Sequence, residues 1–199
     1  MSNSETSSNK VKPTKKFMVY EITVCALFAA LMCIFGPMSV PIGLVPISLT
    51  NLVIYLAVYL LEPREATISC CIYLLLGAVG LPVFSAYSGG LGKLLGPTGG
   101  YLIGFIFMTI ISGLAMKLSK ANVIITAVGM IVGTAVAYAF GTTWFIYITK
   151  STFEHAMEVC VLPFIPFDLG KIAVASALGK AVRVALTKAG LLPKFSKEK

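Results

Sequence analysis

Two ionisable residues stand in an otherwise apolar stretch near the end of the chain. They are Asp168 and Lys171, in Pro163-Phe-Ile-Pro-Phe-Asp-Leu-Gly-Lys171. Three residues apart, they share one face of a helix and can pair. A charged side chain at the centre of a bilayer helix costs about 2.5–3.5 kcal/mol on insertion scales. It is kept where it pairs, faces a cavity or binds something. The alternative is a structural ion pair that locks helix packing. Asn51 is a further polar group in a second apolar run, able to hold a ligand or to join helices.

The segment from Leu81 to Gly100 holds six glycines, with Phe84, Tyr87 and Lys93 among them. Glycine lets a backbone approach a ligand closely, so the N–H groups near Gly90 and Gly92 are candidate donors. Irregular backbone at membrane depth is tolerated where it is buried in protein or lines a cavity. An ordinary flexible loop is the other reading. The loop is not a nucleotide site. Leu94 follows Gly92-Lys93 where a P-loop needs Ser or Thr, and Tyr87 stands where it needs Gly. No H-E-x-x-H or G-x-S-x-G occurs, and the lone His155 has no metal-ligand spacing. A hydrolytic enzyme has no visible machinery here.

The elements that position these groups follow from composition. Of 199 residues, 57% are hydrophobic and only 12% charged, with mean hydropathy +0.91. A soluble domain carries about 25% charged residues. The pattern predicts an all-α polytopic membrane protein. Apolar runs at 17–35, 47–61, 66–80, 100–116, 123–141 and 162–186 give six transmembrane helices. Prolines and the Glu62-Pro-Arg-Glu65 cluster punctuate them. Residues 1–16 read as a disordered tail, 17–190 as the membrane domain and 191–199 as a basic tail. The five cysteines read as buried thiols. Trp144 and Tyr147 read as interfacial aromatics. The uncharged first loop, 36–48, reads equally as a lid over a pocket or as a plain connector.

Six crossings put both termini on one side. That side holds thirteen of the sixteen Lys and Arg residues, so the positive-inside rule places both termini in the cytoplasm. The net charge of +8 sits beside the membrane spans, which argues against nucleic acid as partner. Asp168 then lies roughly 18 Å above Lys180 along the last helix, reachable from outside.

Tyr73-Leu-Leu-Leu-Gly-Ala-Val-Gly-Leu-Pro-Val-Phe84, then Gly89-Gly-Leu-Gly92 and Gly96-Pro-Thr-Gly-Gly-Tyr101, resembles the BioY family. So does Pro46-Ile-Ser-Leu49 with a late Asp-x-x-Lys. BioY proteins are biotin-binding S components of energy-coupling factor (ECF) transporters. The resemblance implies a six-helix subunit of a prokaryotic cell membrane that captures biotin from outside. It implies docking on a transmembrane scaffold that carries two ATPases. It implies no enzyme activity, no ATPase of the chain's own and no cofactor. Ala26 and Ala30, with Ala29, resemble the docking stripe of such S components. From spacing alone the same stripe reads as packing within the bundle.

On that basis Asp168 accepts from the ureido N–H groups of biotin and Lys171 donates to a ligand oxygen. Phe84, Tyr87 and Tyr101 wall the middle of the pocket. Backbone near Gly90 and Gly92, with Lys93, takes the carboxylate, although the reverse orientation stays open. The chain departs from the family at Phe167, where glycine is usual, and at Thr50-Asn51, which places a polar amide one position away from its usual place. A self-sufficient, ion-coupled secondary transporter is the competing reading. It is disfavoured by the lack of an inverted repeat.

Overall fold

The computed structural model describes residues 15–40 and 45–190. The polar tail up to residue 14, residues 41–44 of the first loop and the 191–199 segment lie outside the described residues.

Each of the six apolar runs falls on a helix. These are α1 (Lys15–Phe35), α2 (Thr50–Leu60), α3 (Pro63–Val79), α5 (Gly99–Leu118), α6 (Val123–Thr149) and α8 (Phe164–Lys188). Two short helices complete the set, α4 (Leu91–Leu95) and α7 (Phe153–Cys160). Helix starts follow local chemistry. Glu62 and Glu65 form a reciprocal capping box around Pro63, which needs no N–H partner at the first position. Asn122 accepts the backbone N–H groups of Ile124 and Ile125, opening α6. Gly80, at φ 114°, ends α3 in the left-handed region.

By length and composition, α5 and α6 each suffice to cross a membrane, and α7 with α8 form a third candidate across a 40° bend. Exposed apolar side chains such as Val79, Leu118, Ile124 and Val128 cover the outside of the bundle. The interior holds Tyr55, Tyr73, Met108 and Met130. That distribution suits lipid as the solvent, where packing and hydrogen bonding hold helices together.

The helix α2 sits at the centre and touches α1, α3, α5 and α8. The pair α5 and α6 packs along most of its length. Small residues permit this. A Cβ on Gly133 would meet the Met108 carbonyl at 2.9 Å, and one on Gly104 would meet the Ala137 backbone at 3.0 Å. Helix backbones in lipid approach this closely only across such residues.

Four expectations change. The second run begins as a helix at Thr50, because Ile47–Ser48 pairs with Ser39–Val40 in a two-stranded antiparallel hairpin, β1 and β2. The first loop is therefore a built element. Its Val45 and Ile47 are buried against Phe145, Val161 and Phe164. The helix of the 123–141 run, α6, continues to Thr149, since nothing after Gly141 interrupts its hydrogen bonding until Lys150 turns left-handed at φ 56°. Residues 153–160 form α7, with Thr152 accepting the His155 N–H. Trp144 is not simply an interfacial aromatic, for its Nε1–H donates to the Gly96 carbonyl at 2.9 Å and ties α6 to the entry of α5.

Candidate functional site

Asp168 lies in the first turns of α8, one helical turn before Lys171, and its side chain is 3% exposed. Lys171 Nζ donates to Asp168 Oδ1 at 2.9 Å and to the Ser48 carbonyl at 2.8 Å. The Tyr138 hydroxyl, from α6, donates to Asp168 Oδ2 at 2.6 Å. Asn51 Nδ2, from α2, reaches the same oxygen at 3.2 Å. Three helices thus meet on one carboxylate, and the hairpin joins the network through the Ser48 carbonyl on Lys171. Burying a charge is tolerable only with pairing and hydrogen bonds of this kind.

The network is satisfied but not saturated. A carboxylate offers about four acceptor sites, of which three are used here. An ammonium has three N–H donors, of which Lys171 uses two. One acceptor and one donor therefore remain side by side. That pair matches a solute edge carrying N–H next to C=O.

The network forms one wall of a two-lobed cavity. One lobe, of about 50 Å³, is lined by Asn51, Met108, Tyr138, Phe164, Asp168 and Lys171 among others. The other, of about 40 Å³, is lined by Ser48, Thr50, Tyr73, Ser85, Thr98 and Leu102 among others. Tyr101, Phe105, Val45 and Pro46 face both lobes. The Tyr101 hydroxyl lies 3.1 Å from Thr142 Oγ1 and donates to the Cys160 carbonyl at 3.3 Å, which leaves its ring toward the cavity. The cavity joins a charged end to a hydroxyl-lined end through an aromatic middle. Small-molecule sites usually measure about 300–1,000 Å³, so this one is contracted.

The structure thus brings Asp168, Lys171, Asn51 and Tyr101 together. It separates the others. Phe84 is fully buried and packs edge-on against Tyr73, with ring centroids 5.5 Å apart. It backs a lining residue and does not wall the cavity, because the missing Cβ of Gly77 leaves room for its ring. Tyr87 is 71% exposed and points away, its backbone left-handed at φ 54°. The Gly90 N–H is already spent on the Gly77 carbonyl at 2.7 Å, so it is no open donor. Gly92 is exposed, and neither it nor Lys93 lines either lobe. Partial burial pushes the Lys93 ammonium below its ordinary pKa. The third loop, the glycine-rich segment 81–100, frames the cavity through Ser85 and Thr98. Its start is tied to the hairpin, since the Ala86 N–H donates to Ser39 Oγ at 2.9 Å.

Tyr138 escaped the sequence reading. Its signal was present, because a tyrosine inside an apolar helix needs a partner for its hydroxyl. The Ser48 carbonyl had no signal at all. On α1, Ala26 and Ala30 face outward, whereas Ala29 is buried and takes no part in their stripe. Ala26 borders a groove between α1 and α3 that also holds Glu21, Glu62 and Glu65.

Comparison with known proteins agrees with this architecture. The BioY family profile matches residues 6–188. This chain belongs to the BioY family. It is 32% identical to the biotin transporter BioY2 of Lactococcus lactis subsp. cremoris, over 85% of this chain and 93% of that one. It is 37% identical to a probable biotin transporter BioY of Pyrococcus horikoshii, over 82% of this chain and 96% of that one. Its fold matches a crystal structure of the S component for biotin from an ECF-type ABC transporter. The TM-score is 0.80 at 30% identity, covering 86% of this chain and 95% of the other. Family membership together with the apolar helices makes this BioY protein an integral membrane protein.

Proposed function

We propose that this BioY protein is the biotin-capturing S component of an ECF-type uptake transporter. The observation that carries this reading is the buried Asp168–Lys171 pair, which keeps one acceptor and one donor open at the cavity wall. The ureido ring of biotin presents N–H beside C=O and fits that pair. Tyr101, Phe105 and Met108 then flank the thiophane ring and the valeryl chain. The carboxylate extends toward the hydroxyl-lined lobe at Ser48, Thr50, Ser85 and Thr98, with Lys93 on the adjoining loop as a cation.

The contracted cavity must enlarge to admit biotin. The hairpin and the third loop, joined through Ala86 and Ser39, are the elements that move. All six long helices cross the membrane in this reading, with both termini in the cytoplasm and the cavity toward the outside. The chain supplies capture alone. A scaffold subunit docks along Ala26 and Ala30 and brings two ATPases that drive delivery.

Calorimetry on the purified, detergent-solubilised protein tests the reading, with desthiobiotin and thiamin as comparators. Tight 1:1 binding of biotin, with none of thiamin, is expected. No binding by a folded, monodisperse sample overturns biotin as the ligand. Concentrative uptake by the lone chain in vesicles, driven by an ion gradient, overturns the S-component assignment.

A further inference from the structure

The other end of α8 carries a second cavity, of about 300 Å³, between the last turns of α2, the α5–α6 turn and the foot of α8. Its lining includes four cations, Lys120, Lys180, Arg183 and Lys188, and no acidic residue among the described residues. Arg183 is half-buried and fixed in place, its Nη1 donating to the Tyr59 carbonyl at 2.5 Å. Among the described residues, Glu62 is a carboxylate whose charge reaches Arg183, and Lys117 pairs with Glu62 at 3.1 Å. Lys120, Lys180 and Lys188 bring three positive charges to a lining that has no acid among the described residues. Like charges gathered on one cavity repel unless an anion joins them.

The turn that contributes Lys120 adds a second observation. Lys120 and Ala121 both adopt left-handed backbone, at φ 51° and 66°. Neither is glycine, and L-residues adopt this conformation only at a steric cost. The turn's N–H groups are satisfied internally, with Lys120 N–H on Lys117 and Ala121 N–H on Met116. The strain thus places the Lys120 side chain at the cavity, and strain of this kind collects where function uses it.

We propose that this cavity binds a phosphate-bearing anion, the headgroup of an anionic phospholipid. Lysines and an arginine around a pocket at the foot of a membrane bundle are the chemistry that recognises such headgroups. The apolar surface beside it favours a lipid over a free phosphate. Val182 and Val184 on α8, and Ile124 and Ile125 on α6, are exposed there and can receive acyl chains. The inference rests on the protein being embedded in membrane and not on the solute it captures.

Native mass spectrometry of the purified full-length protein tests this, with phosphatidylglycerol and phosphatidylcholine offered at equal concentration. The comparison is between wild type and the triple variant Lys120→Gln, Lys180→Gln, Lys188→Gln. All three side chains are exposed, so the variant keeps its packing, and circular dichroism verifies its fold. Wild type is expected to retain one phosphatidylglycerol at least tenfold more strongly than phosphatidylcholine. The triple variant should lose that preference. Glycerol 3-phosphate as competitor separates the sources. Displacement of the lipid at similar concentration assigns the site to a free phosphate compound and keeps the phosphate chemistry. Equal retention of the two lipids by wild type, or an unchanged preference in the folded triple variant, overturns the proposal.

Discussion

The two ends of α8 hold charge in opposite ways. At the head, Asp168 and Lys171 are buried, paired at 2.9 Å and braced by Tyr138, Asn51 and the Ser48 carbonyl. At the foot, Lys180, Arg183 and Lys188 join Lys120 around a wider cavity lined by no acid among the described residues. The head solves a desolvation problem within the protein, so little bonding capacity is left, and in the proposed reading it serves one small solute. The foot instead leaves Lys120, Lys180 and Lys188 exposed, which is tolerable near water and headgroups. Burial with pairing therefore characterises the proposed solute site. Exposed lysines around an open cavity characterise the proposed anion site.

The comparison can be broken most forcefully at Lys171. Lys171→Ala leaves a buried carboxylate without its cation, a change that costs about 3–5 kcal/mol in buried pairs. Biotin affinity measured by calorimetry should fall more than tenfold, and thermal unfolding in detergent should shift clearly downward. Asp168→Asn should weaken biotin by more than tenfold with a smaller loss of stability, since the amide keeps one acceptor oxygen. Unchanged affinity in both folded variants would place the site elsewhere.

Tyr138→Phe sharpens the same contrast. It removes the 2.6 Å bond to Asp168 while keeping the ring. Hydrogen bonds to charged groups contribute about 1.5–3 kcal/mol, so roughly a tenfold loss of biotin affinity is expected. An effect on stability alone would make Tyr138 purely structural. Ala26→Leu should leave biotin binding intact and reduce co-purification with a scaffold subunit, because the side chain faces outward on α1. The smallest effect on biotin belongs to the foot of α8. Lys120→Gln with Lys180→Gln should change biotin affinity less than twofold, and a larger change would mean that the two ends are coupled.

Much of the helical frame was legible because apolar runs and Pro or Gly punctuation are local signals. The limits of α3 follow from Glu62-Pro63 and Gly80, and the start of α6 follows from Asn122. The hairpin at Ser39–Val40 and Ile47–Ser48 was not legible, since two-residue strands carry no periodicity. Phe84 and Tyr87 sit three apart in one loop, yet one is core and the other exposed. Their type and neighbourhood are alike, and only the space above Gly77 separates them.

By itself the sequence determined the apolar helices, the asymmetric distribution of basic residues and the paired charges of Asp168 and Lys171. These depend on composition and on spacings of a few residues. The tertiary structure decided which groups reach that pair. Asn51 is 117 positions from Asp168 and Tyr138 is 30 positions away, yet all three meet on one carboxylate. The same holds for Lys120 beside Lys180 and Arg183. Contacts across such separations are set by how helices pack, through small residues such as Gly104 and Gly133, and helical periodicity carries no record of them.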